Sequence, residues 1–68
     1  MYESKLKQFQ RDNRIPVEDL AAMLGVSKSM VYYWREFGMR RWTTANKAAR
    51  KLGCKVEDII GMVKDEDY

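Results

Sequence analysis

Residues 17–36 have the sequence VEDLAAMLGVSKSMVYYWRE, which predicts two helices joined by a turn of about three residues. Ala21 is small where two such helices approach most closely, and Gly25 permits the positive φ that the turn requires. Apolar residues are spaced to fill the wedge between the helices: Leu20, Leu24, Val26, Val31 and Trp34. Because a sharp helical corner needs these features together, the stretch predicts a helix-turn-helix.

The segment before this corner predicts one more helix. Apolar residues recur every three or four positions from Tyr2 to Phe9, with Leu6 between them, so a helix is expected over residues 2–12. The two corner helices are expected over residues 16–24 and 28–37. Pro16 suits a first helical turn, and Ser27 is a strong N-cap.

The segment after the corner predicts two further helices. A fourth helix is expected over residues 42–52, between Gly38 and Gly53, with an inward face made of Trp42, Ala45, Ala48, Ala49 and Leu52. A short fifth helix is expected to carry Ile59, Ile60 and Val63. The predicted fold is therefore all-α: a compact five-helix domain over residues 1–63, followed by a frayed acidic tail at 64–68.

Composition limits the classes of function. The chain has 68 residues, of which 46% are hydrophobic and 34% charged, and this fits one folded domain. With Cys54 as the single cysteine and no histidine, neither an internal disulfide nor a Cys/His zinc site is expected. No apolar run approaches the ~20 residues of a membrane span, and the N-terminus lacks the apolar core of a secretory signal. A cytoplasmic protein without a cofactor, small-molecule ligand or membrane partner is expected.

Charge is unevenly distributed along the chain. Residues 1–56 contain twelve Lys or Arg and five Asp or Glu, whereas residues 57–68 contain one and five. The net charges of the two parts are therefore +7 and −4. A basic body of this kind suits a polyanionic partner, although a lysine-rich solvated surface gives the same pattern.

Residues 17–36 resemble the helix-turn-helix of the Cro/C1 (XRE) family of phage and bacterial repressors. Leu6 and Phe9 match the apolar sites of that family's first helix, and LGCKVEDIIG at 52–61 is similar to its closing segment. The resemblance covers residues 5–61. It implies a lambda-repressor-like domain and a sequence-specific transcriptional regulator, specifically a Cro-like phage or prophage repressor that reads an operator half-site with helix 27–36.

The resemblance also implies which residues meet double-stranded DNA. The base-reading candidates in the major groove are Ser27, Lys28, Ser29, Tyr32 and Tyr33. Lys28 is the first candidate for guanine O6 or N7, while each tyrosine has two roles open: its ring on a thymine methyl group or its hydroxyl on a phosphate. Phosphate contacts are expected from Arg14, Arg40 and Arg41. Further candidates for DNA contact are Arg35 and Glu36.

The chain departs from the family pattern near the start of the second helix and in one side-chain pair. Pro16 and Val17 stand where the family usually has a hydroxyl residue and a glutamine that braces a phosphate. Gln10 and Arg35 stand where the family often has an arginine–glutamate ion pair. Either a Gln10–Arg35 hydrogen bond or an Arg35 available to DNA is therefore expected.

One recognition helix contacts only a few base pairs, so a weak homodimer on a palindromic operator is expected, formed either in solution or only on DNA. The interface is expected from the apolar residues left over after the core is filled: Phe37, Met39, Ile60, Met62 and Val63.

Two other classes of function fit parts of the same sequence. LAAMLGVSKSMVYYWRE at 20–36 also resembles the opening motif of excisionase-like and MerR-like winged helices, which continue into strands. A protein-interaction module, such as an antitoxin or a phage inhibitor, would use Met30, Tyr32, Tyr33 and Phe37 as anchors. An enzyme is not expected, because no pairing of a nucleophile with a base is evident.

Overall fold

The computed structural model describes residues 2–64, and four α-helices account for most of them. These are α1 (Lys5–Asp12), α2 (Val17–Leu24), α3 (Lys28–Phe37) and α4 (Trp42–Leu52). One turn of 3₁₀ helix follows at Val56–Asp58, and the short strands β1 (Tyr2–Ser4) and β2 (Met62–Lys64) pair with each other. The prediction of an all-α class of fold is confirmed.

The corner between α2 and α3 has the predicted turn. Gly25 ends α2 with φ 69° and ψ 35°, the left-handed conformation that glycine adopts without a steric penalty. The Ser27 side chain then begins α3 by accepting a hydrogen bond from the Met30 backbone N–H at 3.2 Å. Helix α2 begins one residue later than predicted, since Pro16 lies outside the helix as its N-cap. The helix-turn-helix therefore forms as the sequence predicts.

The core lies between the corner and the other elements. Leu6 of α1, Leu20 of α2 and Val31 of α3 are fully buried, and Ile59 after the 3₁₀ turn joins them. Helix α4 contributes a face of small residues to the same core, namely Ala45, Ala48 and Ala49. Because small side chains allow helices to approach closely, α4 packs against the inner side of the corner. The outer side of α3 remains exposed.

A lysine on α4 ties that helix to the end of α2. The Lys51 Nζ donates a hydrogen bond to the Leu24 carbonyl oxygen at 3.0 Å. This carbonyl belongs to the last turn of α2, where no intrahelical donor is available and a positive charge is favourable.

Replacing Lys51 with methionine is expected to lower the free energy of unfolding by about 1 kcal/mol, because one hydrogen bond and one favourable charge are lost. Urea denaturation measures this. Lys47→Met, one turn earlier on α4 and also exposed, removes the same charge and should change stability by less than about 0.5 kcal/mol. Equal stability of the two variants would contradict the capping role.

The prediction of a fifth helix is wrong. Only Val56–Asp58 is helical, and beyond it Gly61 takes a φ of 80° and donates its N–H to the Met39 carbonyl oxygen at 2.6 Å. Residues 62–64 then pair antiparallel with residues 2–4, with Glu3 opposite Val63. Strand pairing thus provides hydrogen bonds for the backbone groups of residues 62–64. The same pairing places Tyr2–Ser4 in a strand and not in the predicted first helix.

Two predicted core positions are exposed. Tyr2 is 67% exposed because it lies in β1 and not on the inner face of α1. Trp42 is 58% exposed because it is the first residue of α4, one turn before the first buried residue, Ala45.

The predicted acidic tail begins at Lys64, which is the last residue of β2, and residues 65–68 lie outside the described residues. Within residues 2–64, no helix has the length and apolarity to cross a bilayer.

Candidate nucleic-acid interface

Helix α3 is buried along one narrow seam and exposed elsewhere. Val31 is fully buried and Trp34 is half-buried, so these two residues anchor the helix. The exposed residues of α3 are Lys28, Ser29, Met30, Tyr32, Tyr33, Glu36 and Phe37. The structure thus brings the predicted base-reading residues to a surface, together with Ser27 just ahead of them.

The first turn of α3 presents short polar groups and one cation. The Ser27 hydroxyl oxygen accepts the Met30 N–H, which leaves its O–H as the group able to donate to a ligand. Lys28 and Ser29 follow as exposed residues, and the first turn contains no acidic side chain. This end of the helix therefore offers donors without a nearby competing carboxylate on the same turn.

The two tyrosines of α3 have different neighbours. The Tyr33 ring contacts the Phe37 ring with a centroid distance of 4.9 Å and an interplanar angle of 45°. The Tyr32 ring instead faces the Arg35 guanidinium, whose central carbon lies 5.7 Å from the ring centroid. Tyr33 thus belongs to the side of α3 that carries Phe37, and Tyr32 to the side that carries Arg35.

A cleft at the C-terminal end of α3, here called the loop cleft, combines aromatic and basic residues. Its volume is about 310 Å³, and it is lined by Tyr33, Trp34, Phe37, Gly38, Met39, Arg40, Arg41 and Thr44. Both arginines are exposed. Arg41 is also the N-cap of α4 and provides no side-chain cap, so the first amides of α4 add to the positive potential there.

A second cleft, the basic cleft, lies between α1, the start of α2 and α3. Its volume is about 280 Å³, and it is lined by Lys7, Gln10, Arg11, Arg14, Ile15, Pro16 and Arg35. Arg14 takes a φ of 54°, in the left-handed region that few residues other than glycine adopt, at the turn that ends α1. Arg14 and Arg35 were predicted separately as DNA contacts, and the structure places both of them in this one cleft.

Lys7 and Arg11 were missed as members of this cleft. They are spaced four and three residues from each other and from Arg14, which is the spacing of one helical face. That helical periodicity is the feature of the sequence that could have identified them.

Arg11 also pairs with Glu3, with 2.8 Å between its Nη1 and the Glu3 Oε1. Burial acts to raise the pKa of Glu3, but hydrogen bonds from Gln8 and Arg11 outweigh it and lower this pKa.

The expected hydrogen bond between Gln10 and Arg35 does not form. Gln10 is 8% exposed, and its Nε2 donates to the Ile15 carbonyl oxygen at 2.8 Å. The Gln10 Oε1 and the Arg35 Nε are buried without a hydrogen-bond partner among the described residues. Arg35 therefore carries a charge that no carboxylate neutralises within residues 2–64.

Not all residues of the predicted dimer interface lie at the surface. Met39 is 1% exposed and belongs to the core, so its assignment as a leftover apolar residue is wrong. Phe37 is half exposed, whereas Ile60, Met62 and Val63 are half-buried. A Cβ atom at Gly38 would lie 2.9 Å from the Met62 Sδ, which shows that Met62 packs against the end of α3.

Cys54 is half-buried beside the 3₁₀ turn. Burial raises the pKa of its thiol, and the nearby Asp58 carboxylate raises it further. A thiol with a raised pKa is a poor nucleophile, so this residue fits packing better than redox sensing.

A family model described as the Cro/C1-type HTH DNA-binding domain matches residues 5–65 of this chain. No curated protein and no solved structure matches this chain.

Proposed function

Since the chain belongs to the Cro/C1-type helix-turn-helix family of DNA-binding domains, we propose that it is a sequence-specific transcriptional regulator that inserts α3 into the major groove. The observation that carries this proposal is the placement of α3. Its exposed face lies between two clefts that contain arginines, the loop cleft and the basic cleft. A helix in the major groove has a phosphate backbone on each side of it, so cations on both flanks suit that position.

The proposed roles follow from this placement. Lys28 donates to a guanine O6 or N7 from the first turn of α3, where Ser27 and Ser29 provide hydroxyl groups for a neighbouring base or phosphate. Arg40 and Arg41 bind phosphates on one flank, helped by the amides that begin α4. Arg14 and Arg35 bind phosphates on the other flank. Glu36 is exposed on α3 and is a candidate acceptor for a cytosine amino group.

The wider proposal is a Cro-like repressor from a phage or prophage, which acts in the bacterial cytoplasm by occluding a promoter. It binds as a weak homodimer to a palindromic operator, with the interface formed by Phe37, Ile60, Met62 and Val63. If the dimer neutralises roughly 6 to 8 phosphates, log K falls against log salt with a slope near −6, since each phosphate contributes about −0.9.

Selection of bound sequences from a random duplex pool at ~0.15 M salt tests the proposal. The expected result is an enriched palindrome whose half-site centres are about 34 Å apart, one turn of DNA. Lys28→Ala, checked for folding by circular dichroism, should relax the motif at one position in each half-site. A pool that stays random would contradict sequence-specific binding.

A protein-interaction module on the same fold is the second candidate function. The observation that favours it is the exposure of Tyr32, Tyr33 and Phe37, each at least 50%. Replacing Lys28 and Ser29 with alanine should abolish operator binding but leave protein binding intact. The winged-helix alternative has less support, because α4 follows α3 directly and the strands come from the two ends of residues 2–64.

A further inference from the structure

A further cleft, here called the turn cleft, lies between the turn of the corner and α4. Its volume is about 220 Å³, and its lining includes Gly25 of the turn, Trp34 of α3, and Thr44, Lys47 and Lys51 of α4. Trp34 and Thr44 also line the loop cleft. The two clefts therefore meet at these two residues, and together they form one surface along α3 and α4, which we call the α3–α4 groove.

The α3–α4 groove has cations at both ends and no acidic residue in its lining. Arg40 and Arg41 lie at the loop end, and Lys47 and Lys51 lie at the turn end. Lys51 keeps its charge while it donates to the Leu24 carbonyl oxygen. Within residues 2–64, none of these four cations pairs with a carboxylate. The groove therefore suits an anionic chain that carries several charges in succession.

The loop end of the groove also has aromatic walls. Tyr33 is 56% exposed and Phe37 is 50% exposed, and their ring centroids lie 4.9 Å apart. Trp34 is half-buried at the junction of the two clefts. Exposed rings beside arginines offer faces on which a flat group can stack. Phosphate binding alone does not account for these rings, because a phosphate is bound by cations and N–H donors.

A nucleic-acid strand with unpaired bases combines a chain of charges with flat groups. Each nucleotide brings one phosphate and one base, and proteins that bind single strands join a basic groove to aromatic side chains on which bases stack. A duplex offers its phosphates but keeps its bases stacked on one another. Lys47 and Lys51 are not among the residues proposed to bind the duplex, so the proposed duplex complex leaves the turn end without a ligand.

We propose that the α3–α4 groove binds single-stranded nucleic acid. Phosphates lie against Arg40, Arg41 and Lys47, a base stacks on the exposed ring of Tyr33, and the strand passes Trp34 between the two clefts. This activity goes beyond the proposed function, because it does not require α3 to enter a duplex. Since both ligands use Arg40 and Arg41, a single strand and the operator exclude each other on one protomer.

The fluorescence of Trp34 reports whether the groove is occupied. The chain has two tryptophans, and Trp42 is exposed and lies outside the lining of the loop and turn clefts. Trp42→Phe therefore leaves Trp34 as the single reporter. Oligothymidylate and oligouridylate of about eight nucleotides are titrated into this variant at ~0.05 M salt. Quenching of Trp34 is expected, and the relative affinities of the two strands distinguish DNA from RNA as the ligand.

The two tyrosines of α3 provide a matched pair of variants in the same background. Tyr33→Leu should weaken binding of the oligonucleotide by at least about fivefold, because one stacked ring is lost. Tyr32→Leu is the control, since Tyr32 is 53% exposed on the same helix but lines neither the loop cleft nor the turn cleft. Its affinity should change by less than about twofold.

Lys47 tests the turn end of the groove. Lys47→Met should make the slope of log K against log salt less steep by about 0.7, the contribution of one phosphate of a single strand. Arg50→Met removes the same charge from an exposed position of α4 outside the groove and should leave the slope unchanged. Lys47→Met should also leave operator binding within about twofold of the parent, because Lys47 is not a proposed duplex contact.

Three results would overturn this inference. The first is that neither oligonucleotide quenches Trp34, and the second is that Tyr33→Leu and Tyr32→Leu bind equally well. The third is that a glutamate peptide with about eight carboxylates quenches Trp34 at the same concentrations, which would assign the groove to an acidic peptide. Failure to select an operator would contradict the proposed function alone, because the single-strand titrations use no duplex.

Discussion

Replacing Arg40 and Arg41 together with alanine is expected to weaken operator binding by roughly 100-fold or more at ~0.15 M salt, because contacts between charged groups are lost in both protomers. Both arginines are exposed in the loop cleft, next to the end of α3 and the uncapped start of α4. Phosphate contacts position the protein without reading sequence. The loss should therefore be similar for the operator and for unrelated DNA.

The salt dependence gives a sharper measurement than affinity alone. If each arginine binds one phosphate, a dimer loses four contacts, and the slope of log K against log salt should become less steep by about 3.6. Titration of labelled duplex at several salt concentrations measures this slope. The matched control is a double variant, Arg50→Ala with Lys55→Ala, which removes the same charge from exposed positions outside both clefts. An unchanged slope for the Arg40 and Arg41 variant would contradict the phosphate role.

Replacing Leu20 with alanine is the second change with a large expected effect. Leu20 is fully buried on α2, in the core that joins the corner to α1 and α4. Leucine-to-alanine changes at such sites cost about 3 kcal/mol, through lost burial and the cavity that remains. In a domain of this size that loss lowers Tm by roughly 12–24 °C, so much of the domain's total stability is removed.

Thermal denaturation followed by circular dichroism measures the effect. Met23→Ala is the control, since it shortens a side chain that is 44% exposed on the same helix, and its Tm should stay within about 4 °C of the parent. DNA binding by Leu20→Ala should fail near its lowered Tm and recover on cooling. If the two variants melted at the same temperature, the core assignment for α2 would be incorrect.

The helix-turn-helix could be predicted from sequence because its signals are local. Gly25 ends α2, Ser27 caps α3, and the apolar spacing across residues 20–34 places Leu20 and Val31 in the core. Gly25 and Ser27 act through neighbours within a few positions, and the apolar spacing is itself a local pattern in the sequence. The approximate bounds predicted for α3 and α4 accordingly agree with the structure.

The two ends of the described chain could not be predicted in the same way. The pairing of residues 2–4 with residues 62–64 joins segments about sixty positions apart, and neither segment has a strand pattern long enough to indicate it. Helical spacing therefore suggested a longer α1 and a fifth helix. The burial of Met39 was missed for the same reason, because it depends on Ile60 and Gly61 lying beside it.

The sequence indicated some residues of the candidate site but not Lys7 and Arg11, and it did not indicate how the residues are grouped. Sequence reasoning selected Arg14, Arg35, Arg40 and Arg41 one at a time. The structure sorts them into two clefts that share no lining residue. It also distinguishes Tyr32, which faces Arg35, from Tyr33, which contacts Phe37. Such sorting depends on how α1, α3 and the loop after α3 meet in space.

Methylation interference on the selected operator tests most directly whether α3 enters the major groove. Methyl groups on guanine N7 project into the major groove, whereas those on adenine N3 project into the minor groove. Sparsely methylated duplex is mixed with the protein, and bound and unbound fractions are compared base by base. The account predicts that guanine N7 methylation in each half-site prevents binding and that adenine N3 methylation there is tolerated. Interference confined to adenine N3 would contradict it.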